Sequence, residues 1–252
     1  QKIDLLNIEQ QAYHSTGTCT CYGTANTNQL IAEAMGFQLP WTTFTPTESP
    51  VRDYLKKESL QALMRLMDAE IGLGEMLDIK NWMNALIVLL ASGGSTNLVI
   101  HLIAMARSAG YILEIEDFSD LSCIIPLLCQ VYPNGTADVN EFHSEGGIAR
   151  LLSNLMEGDL IYQDIETVAG FGLENYTKIP YIDGVNVTNL KWKNLDQNQN
   201  TKSISTIDNP FKSNGGIKFI GGDIAEGVIK VSALKDENEV IVAPAKVFLS
   251  QE

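Results

Sequence analysis

The chain has 252 residues, of which 45% are hydrophobic and 19% charged, a balance that excludes a disordered protein and is enough for a sizeable core. With 17 Lys and Arg against 31 Asp and Glu, the formal net charge is −14, so nucleic acid and anionic membrane surfaces are not expected partners. The longest apolar run, Ala85 to Ala91, falls far short of the ~20 residues of a bilayer-spanning helix. The opening QKIDLLNIEQ lacks a signal-peptide pattern, and four cysteines in a chain this long do not form a disulfide framework. The expected compartment is the cytoplasm, where a reduced thiol is free to bind metal. The start at Gln1 and the stop at VFLSQE read as the ends of a piece of something longer.

In chain order, Thr24 to Met35 places Leu30, Ile31, Ala34 and Met35 at helical spacing, and Gly36 supplies a left-handed stop before Pro40. Ser49-Pro50 opens a second helix, with serine as the cap and proline at the first helical position. Leu55, Leu60, Leu63, Met64 and Met67 then predict its apolar stripe. Asn81 to Leu90 is apolar on nearly every side and predicts a buried helix. The turn ASGGSTN leads into a helix over Leu98 to Ser108. Tyr111 to Ile115 predicts a short strand, and Ser119 a cap for a helix holding Leu121, Ile124, Ile125 and Leu128. Asn134-Gly135 is a turn, and Gly147 to Met156 a helix closed by Gly158. These elements predict an α/β layer arrangement.

The pattern changes after about Val185. Asn186 to Asn209 reads as a solvated linker or surface excursion. From Gly216 the period becomes two, with strands expected at Ile217 and Phe219, at Val228 to Val231, and at Val240 and Val242. This predicts a division into residues 1–205 and 206–252, the second part too short for a complete β domain.

The chemistry concentrates at Gly17-Thr18-Cys19-Thr20-Cys21-Tyr22-Gly23, just before the first of those helices. Free backbone N–H groups and the helix dipole stabilise a thiolate there, and a thiolate is the ligand an iron–sulfur cluster needs. The plainer alternative is a small buried cysteine in a tight turn.

GTCTCYGTANT resembles the G-x-C-x-x-x-x-T-A-N-T signature of the dihydroxy-acid and 6-phosphogluconate dehydratase family, with Cys19 on the family's cluster cysteine. The resemblance extends through ASGGSTNLVIHLIAMARSAG (91–110). EDFSDLSCIIPLL (116–128), YPNGTADVNEF (132–142) and TVAGFGLENY (167–176) are similar to the phosphogluconate branch. NPFKSNGGIKFIGGDIAEGVIKVSA (209–233) resembles the start of the family's C-terminal domain. The resemblance implies a layered α/β domain followed by the first strands of a β-barrel-like one.

It also implies a hydro-lyase acting on a phosphorylated sugar acid in the Entner–Doudoroff pathway. The implied cofactor is an iron–sulfur cluster, [4Fe–4S] or the [2Fe–2S] of related dehydratases, with a divalent cation such as Mg in the complete enzyme. A homodimer is implied as the assembly. The family's other cluster cysteines, its metal-binding acids and its serine base have no match here, so no catalytic residue is assigned and the isolated chain is expected to be inactive. A dehydratase for another sugar acid or a 2,3-dihydroxy acid, and a non-catalytic fragment, are the alternatives.

Cys21 has no counterpart in the family pattern and is read as packing. Cys123 and Cys129 are read as core residues on an apolar helix. Ser92 to Asn97 could hold an anion at a helix N-terminus, although it lacks a P-loop lysine. Capping by Ser95 or Thr96 explains the motif alone. With the resemblance, a substrate-facing role for Ser95, Thr96 and Asn97 is equally supported. His101 is read as a core or boundary residue, His143 as a surface residue, and His14 as a neighbour of the cysteine turn. Glu75 stands where the family carries lysine, which argues against phosphate binding there.

Overall fold

The computed structural model describes residues 2–11, 19–184, 190–196, 199–223, 226–234, 240, 242–244, 246–248 and 250. These residues form a mixed helix and sheet structure in which helices build the core and short antiparallel hairpins lie against it.

The sequence did not signal α1 (Lys2–Gln11). Helix α2 (Thr24–Ala34) runs as its apolar spacing predicts, burying Leu30, Ile31 and Ala34. It ends where Gly36 takes φ +80, and a Cβ there would meet Thr167 Cγ2 at 2.6 Å. Helix α3 (Pro50–Asp68) starts as expected, with Ser49 Oγ accepting from Val51 N at 3.2 Å. A short α4 (Leu73–Met76) precedes α5 (Ile79–Ala91), which is buried along nearly all its length. Two asparagines satisfy backbone groups from inside α5. Asn81 Nδ2 donates to Met35 O at 2.8 Å, and Asn84 exchanges bonds with the Tyr162 backbone at 2.8 and 3.0 Å. Helix α6 (Asn97–Ser108) follows the glycine turn.

Two expectations fail in the next stretch. Residues 111–114 form no strand, and Glu114 instead caps α7 (Ile115–Ser122), its N–H bonded to Asp117 Oδ2 at 2.8 Å. The capping box outweighs the strand propensity of Tyr111 and Ile112. The helix then stops at Ser122, before Ile124, Ile125 and Leu128. Residues 127–131 run extended because their backbone groups pair elsewhere. Leu127 N donates to Lys212 O at 3.0 Å, Leu128 N to Ala91 O at 2.8 Å and Gln130 N to Ser203 O at 2.9 Å. After the turn at Asn134-Gly135 come α8 (Val139–Ser144), capped by Asp138, and α9 (Gly147–Glu157), closed at Gly158 as predicted.

The polar stretch after Val185 is only partly an excursion; residues 185–189 and 197–198 lie outside the described ones. Within it, β2 (Lys191–Asn194) pairs antiparallel with β1 (Lys178–Tyr181). Ser203 and Ile204 are buried, and the Glu145 carboxylate accepts Lys202 N and Ser203 N, both at 2.9 Å. Strand β3 (Lys218–Ile220) pairs antiparallel with β4 (Gly227–Ile229), where the period of two predicts strands, but Ile217 precedes β3 and Val231 opens a 3-10 turn (Val231–Ala233) beyond β4. Val240 and Val242 are exposed and lie in no strand among the described residues, where no closed barrel forms either.

The core gathers α2, α5, α6 and α9 with Ile204 and Ile217 from the later segments. The predicted stripe of α3 is a correction. Leu55 is buried, but Leu60, Leu63, Met64 and Met67 are all more than half exposed. Helical spacing marks a common face without supplying anything to cover it.

Candidate functional site

The described part of the cysteine motif, Cys19 to Gly23, is a turn fixed from three sides. Asn26, in the first turn of α2, donates through Nδ2 to Cys19 O at 2.8 Å and to Cys21 O at 2.7 Å. Tyr22 N donates to Tyr132 O at 2.7 Å, and Val139 N to Thr20 O at 3.2 Å. The Tyr22 hydroxyl is buried and donates to Ser92 Oγ at 2.8 Å. Burial pushes that phenol far above its ordinary range, so it remains a donor. Cys19 is exposed and Cys21 half-buried. The asparagine of the T-A-N-T segment therefore sets the shape of the turn that presents Cys19.

The glycine turn packs directly on this assembly. Thr24 Oγ1 lies 3.0 Å from Ser95 Oγ, and Asn97 Nδ2 donates to Thr24 Oγ1 at 2.8 Å. Ser95 N donates to Thr27 Oγ1 at 3.2 Å. Gly94 makes the approach possible, because a Cβ there would meet Thr27 Cγ2 at 2.6 Å and Leu89 Cδ1 at 2.7 Å. Two motifs far apart in the chain thus form one polar surface.

The amides of this turn are used within the fold: Gly93 N on Leu90 O, Gly94 N on Leu89 O, and Asn97 N on Ser95 Oγ at 3.3 Å. Thr96 holds the N-cap position of α6 without a side-chain cap bond. What the turn offers outward is side chains, Asn97 being exposed.

A third segment completes the surface, and sequence reasoning missed it. Asn134 Nδ2 donates to Gly93 O at 2.9 Å and lies 3.2 Å from Ser232 Oγ, while Asn134 Oδ1 is buried without a hydrogen-bond partner. Lys230, at the end of β4, is half-buried. Burial pulls its ammonium below the usual lysine range, and the neighbouring Cys21 acts in the opposite direction. In the sequence Asn134 signals only a turn and Lys230 only a strand end; no local pattern joins them to the cysteines.

The other candidates disperse. His101 is exposed, not a core or boundary residue, because its face of α6 points outward. His143 is not a surface residue. Its ring stacks on Trp41 at 4.3 Å between centroids, and its Nδ1 is buried without a partner. Burial and the nearby Arg52 push it down to about 4, so it is neutral. Cys123 is exposed at the end of α7, not in the core, because the helix stops there; Cys129 is buried, as expected, but on extended chain. Glu75 caps its own short helix through Gly72 N at 3.0 Å. His14 lies outside the described residues.

Among the described residues, no three His, Cys, Asp or Glu side chains group as a metal site. Cys19 fits a cluster as one exposed sulfur donor in the turn ahead of α2, and the rest of a ligand set is not found among the described residues. No described helix is long and apolar enough to cross a membrane.

The family model described as dihydroxy-acid/6-phosphogluconate dehydratase N-terminal matches residues 1–176. The chain is 42% identical to phosphogluconate dehydratase of Escherichia coli K12 over 254 residues, covering 99% of the chain and 42% of that protein. It is 43% identical to phosphogluconate dehydratase of Rhizobium meliloti over 251 residues, covering 98% of the chain and 41% of the relative. Dihydroxy-acid dehydratase of Sulfurisphaera tokodaii is 36% identical over 251 residues, covering 99% of the chain and 42% of that relative. The chain thus spans about two-fifths of the length of the relatives it matches. With the family pattern matched through the cysteine turn, the glycine turn and the helices that join them, the chain belongs to the dihydroxy-acid/6-phosphogluconate dehydratase family.

Proposed function

We propose that this chain is part of a hydro-lyase that converts 6-phospho-D-gluconate to 2-dehydro-3-deoxy-6-phosphogluconate, the dehydration step of the Entner–Doudoroff pathway. The observation that carries this reading is identity above 40% to phosphogluconate dehydratases across nearly the whole chain. The joined cysteine and glycine turns support it. The reaction removes the C2 proton and the C3 hydroxyl as water, and the enol that results becomes the ketone.

In this reading Cys19 gives one thiolate to an iron–sulfur cluster of the [4Fe–4S] type, and the other ligands come from outside the described residues. Such a cluster, when bound, supplies Lewis acidity toward a departing hydroxyl. The chain's own residues hold the geometry around it. Asn26 fixes the two carbonyls of the cysteine turn, and Thr24, Ser95 and Asn97 form a hydroxyl and amide surface beside it that can order a polyhydroxy acid.

The test uses the full-length protein purified without oxygen and offered both 6-phosphogluconate and 2,3-dihydroxy-isovalerate. Consumption of the first is expected. The similarity to dihydroxy-acid dehydratase makes the second the informative competitor, and exclusive turnover of it would overturn the branch assignment. Cys19→Ser is expected to lose cluster absorbance and to lower turnover at least about a hundredfold, as removal of a ligand should. Unchanged absorbance and turnover would remove Cys19 from the site.

A further inference from the structure

A phosphorylated sugar acid carries negative charge at both ends, and the chain it meets has a net charge of −14. Binding therefore needs a local patch where positive charge and hydrogen-bond donors outweigh that field. Such a patch lies beside the cysteine turn. A cavity of about 400 Å³ opens between α2 and the start of α3. Its walls include Asn26, Gln29, Gln38, Thr43, Arg52 and Lys56, together with two further threonines. Every lining side chain is polar, two are cationic, and none is a carboxylate.

The two cations are placed differently. Arg52 donates from Nε to Thr45 O at 3.1 Å and from Nη2 to Thr42 O at 2.8 Å. Neutral carbonyls fix the guanidinium plane, and the acid whose charge acts on it is the buried Glu33, whose carboxyl burial raises to about 7 and so leaves only partly ionised. The carboxylate of Glu33 lies behind Thr43 and is fully buried, accepting Trp41 N at 2.5 Å and Thr43 N at 2.9 Å. Its lone pairs are engaged inside the protein. Lys56 sits at the rim, paired with Asp53 at 3.0 Å, both side chains more than three-fifths exposed. A pair so exposed holds its lysine weakly, so an arriving dianion can compete for it.

The other large cavities have a different character. The cleft of about 610 Å³ at Trp192 sets Glu58 beside Arg65, and its Lys178 is bonded to Glu174 at 3.5 Å. The groove of about 650 Å³ at Phe37, Leu77, Trp82 and Met105 is mainly apolar.

Asn26 links the cationic cavity to the chemistry. It lines the cavity and also holds Cys19 O and Cys21 O. A linear six-carbon acid that reacts at C2 and C3 and carries phosphate on C6 needs two sites separated by the length of its chain. We propose that the α2–α3 cavity is the phosphate subsite: Arg52 and Lys56, with the amides of Gln29 and Gln38, hold the terminal phosphate while the acid end faces the cysteine turn. This rests on the dehydratase reading.

The test measures calorimetric binding of inorganic phosphate to the full-length protein, which needs no turnover. The wild type is expected to bind phosphate, with unphosphorylated gluconate failing to displace it. Lys56→Glu, at an exposed position that leaves the fold intact, is expected to weaken binding at least about tenfold, as loss of a charge-assisted contact should. Arg52→Lys, which keeps the charge and loses the fork, is expected to weaken it similarly, with folding checked by circular dichroism. Lys191→Glu, a cation outside the cavity, is expected to leave binding unchanged. Both cavity variants should raise KM for 6-phosphogluconate without a matching fall in kcat. Absent phosphate binding, or binding within twofold of wild type in folded Lys56→Glu and Arg52→Lys proteins, would overturn the subsite. Phosphate binding that responds as expected in a protein that does not dehydrate 6-phosphogluconate would leave the subsite standing and overturn the dehydratase reading instead.

Discussion

Helices α3 and α5 both advertise apolar residues in the sequence, and the fold treats them differently. Helix α5 carries apolar residues around nearly its whole circumference and is enclosed by α2 and α7. Helix α3 has one apolar face, and only Leu55 and Ala62 on it are buried. Its attachment is largely polar: the Ser49 cap, and Arg52 reaching back to the carbonyls of Thr42 and Thr45. A helix apolar on all sides has no stable place except the interior, whereas a striped helix depends on what the rest of the fold sets opposite the stripe. The consequence for function is that α3 is free to place Arg52 and Lys56 at a cavity wall.

Leu89→Ala would sharpen this contrast most. Leu89 is fully buried in α5, and the cavity left behind should cost about 2–5 kcal/mol in denaturant unfolding. A loss below about 1 kcal/mol would break the picture of α5 as the packed centre.

Next in size is the polar anchor of α3. Glu33 clamps the loop before α3 through Trp41 and Thr43, and burial raises its carboxyl from 4.5 to about 7. The folded chain therefore keeps a proton that the unfolded chain releases. That contribution to stability is fully present below about pH 4.5 and is lost as pH rises through about 7. Glu33→Gln should cost about 1–3 kcal/mol through disturbed buried hydrogen bonds. The wild-type advantage over the variant should shrink between those two pH values. His143 titrates in the opposite sense and is common to both proteins, so it cancels in the difference. A difference independent of pH would show that Glu33 ionises normally.

Ser49→Ala removes the cap and should cost about 1 kcal/mol. Met64→Gln on the exposed stripe should shift stability by no more than about 0.5 kcal/mol. A loss comparable to that at Leu89 would mean that the stripe is covered in the folded protein in solution, and the distinction between the two helices would collapse.

How far each region was legible follows from the range of its interactions. The starts of α2, α3 and α9 and the stop at Gly36 depend on residues within one or two turns, and the sequence displays them. Residues 124–129 read as helix in the sequence, yet Leu127, Leu128 and Cys129 find their backbone partners at Lys212, Ala91 and Ser205. The candidate site divides in the same way. Cys19 and the T-A-N-T helix start are a contiguous signal, while Lys230 and Asn134 join them from distant segments.

By itself, the sequence determined the family, the cysteine turn and the helices whose caps and apolar spacing are local. These depend on short-range chemistry: a glycine where φ is positive, a serine before a proline, a run too apolar to face water. The tertiary structure alone decided that the glycine turn sits on the cysteine helix, that the stripe of α3 stays exposed, and that Arg52 and Lys56 share a cavity with Asn26. Those outcomes depend on which distant surfaces meet, and they are set by close approach at Gly94 and by buried hydrogen bonds across the chain.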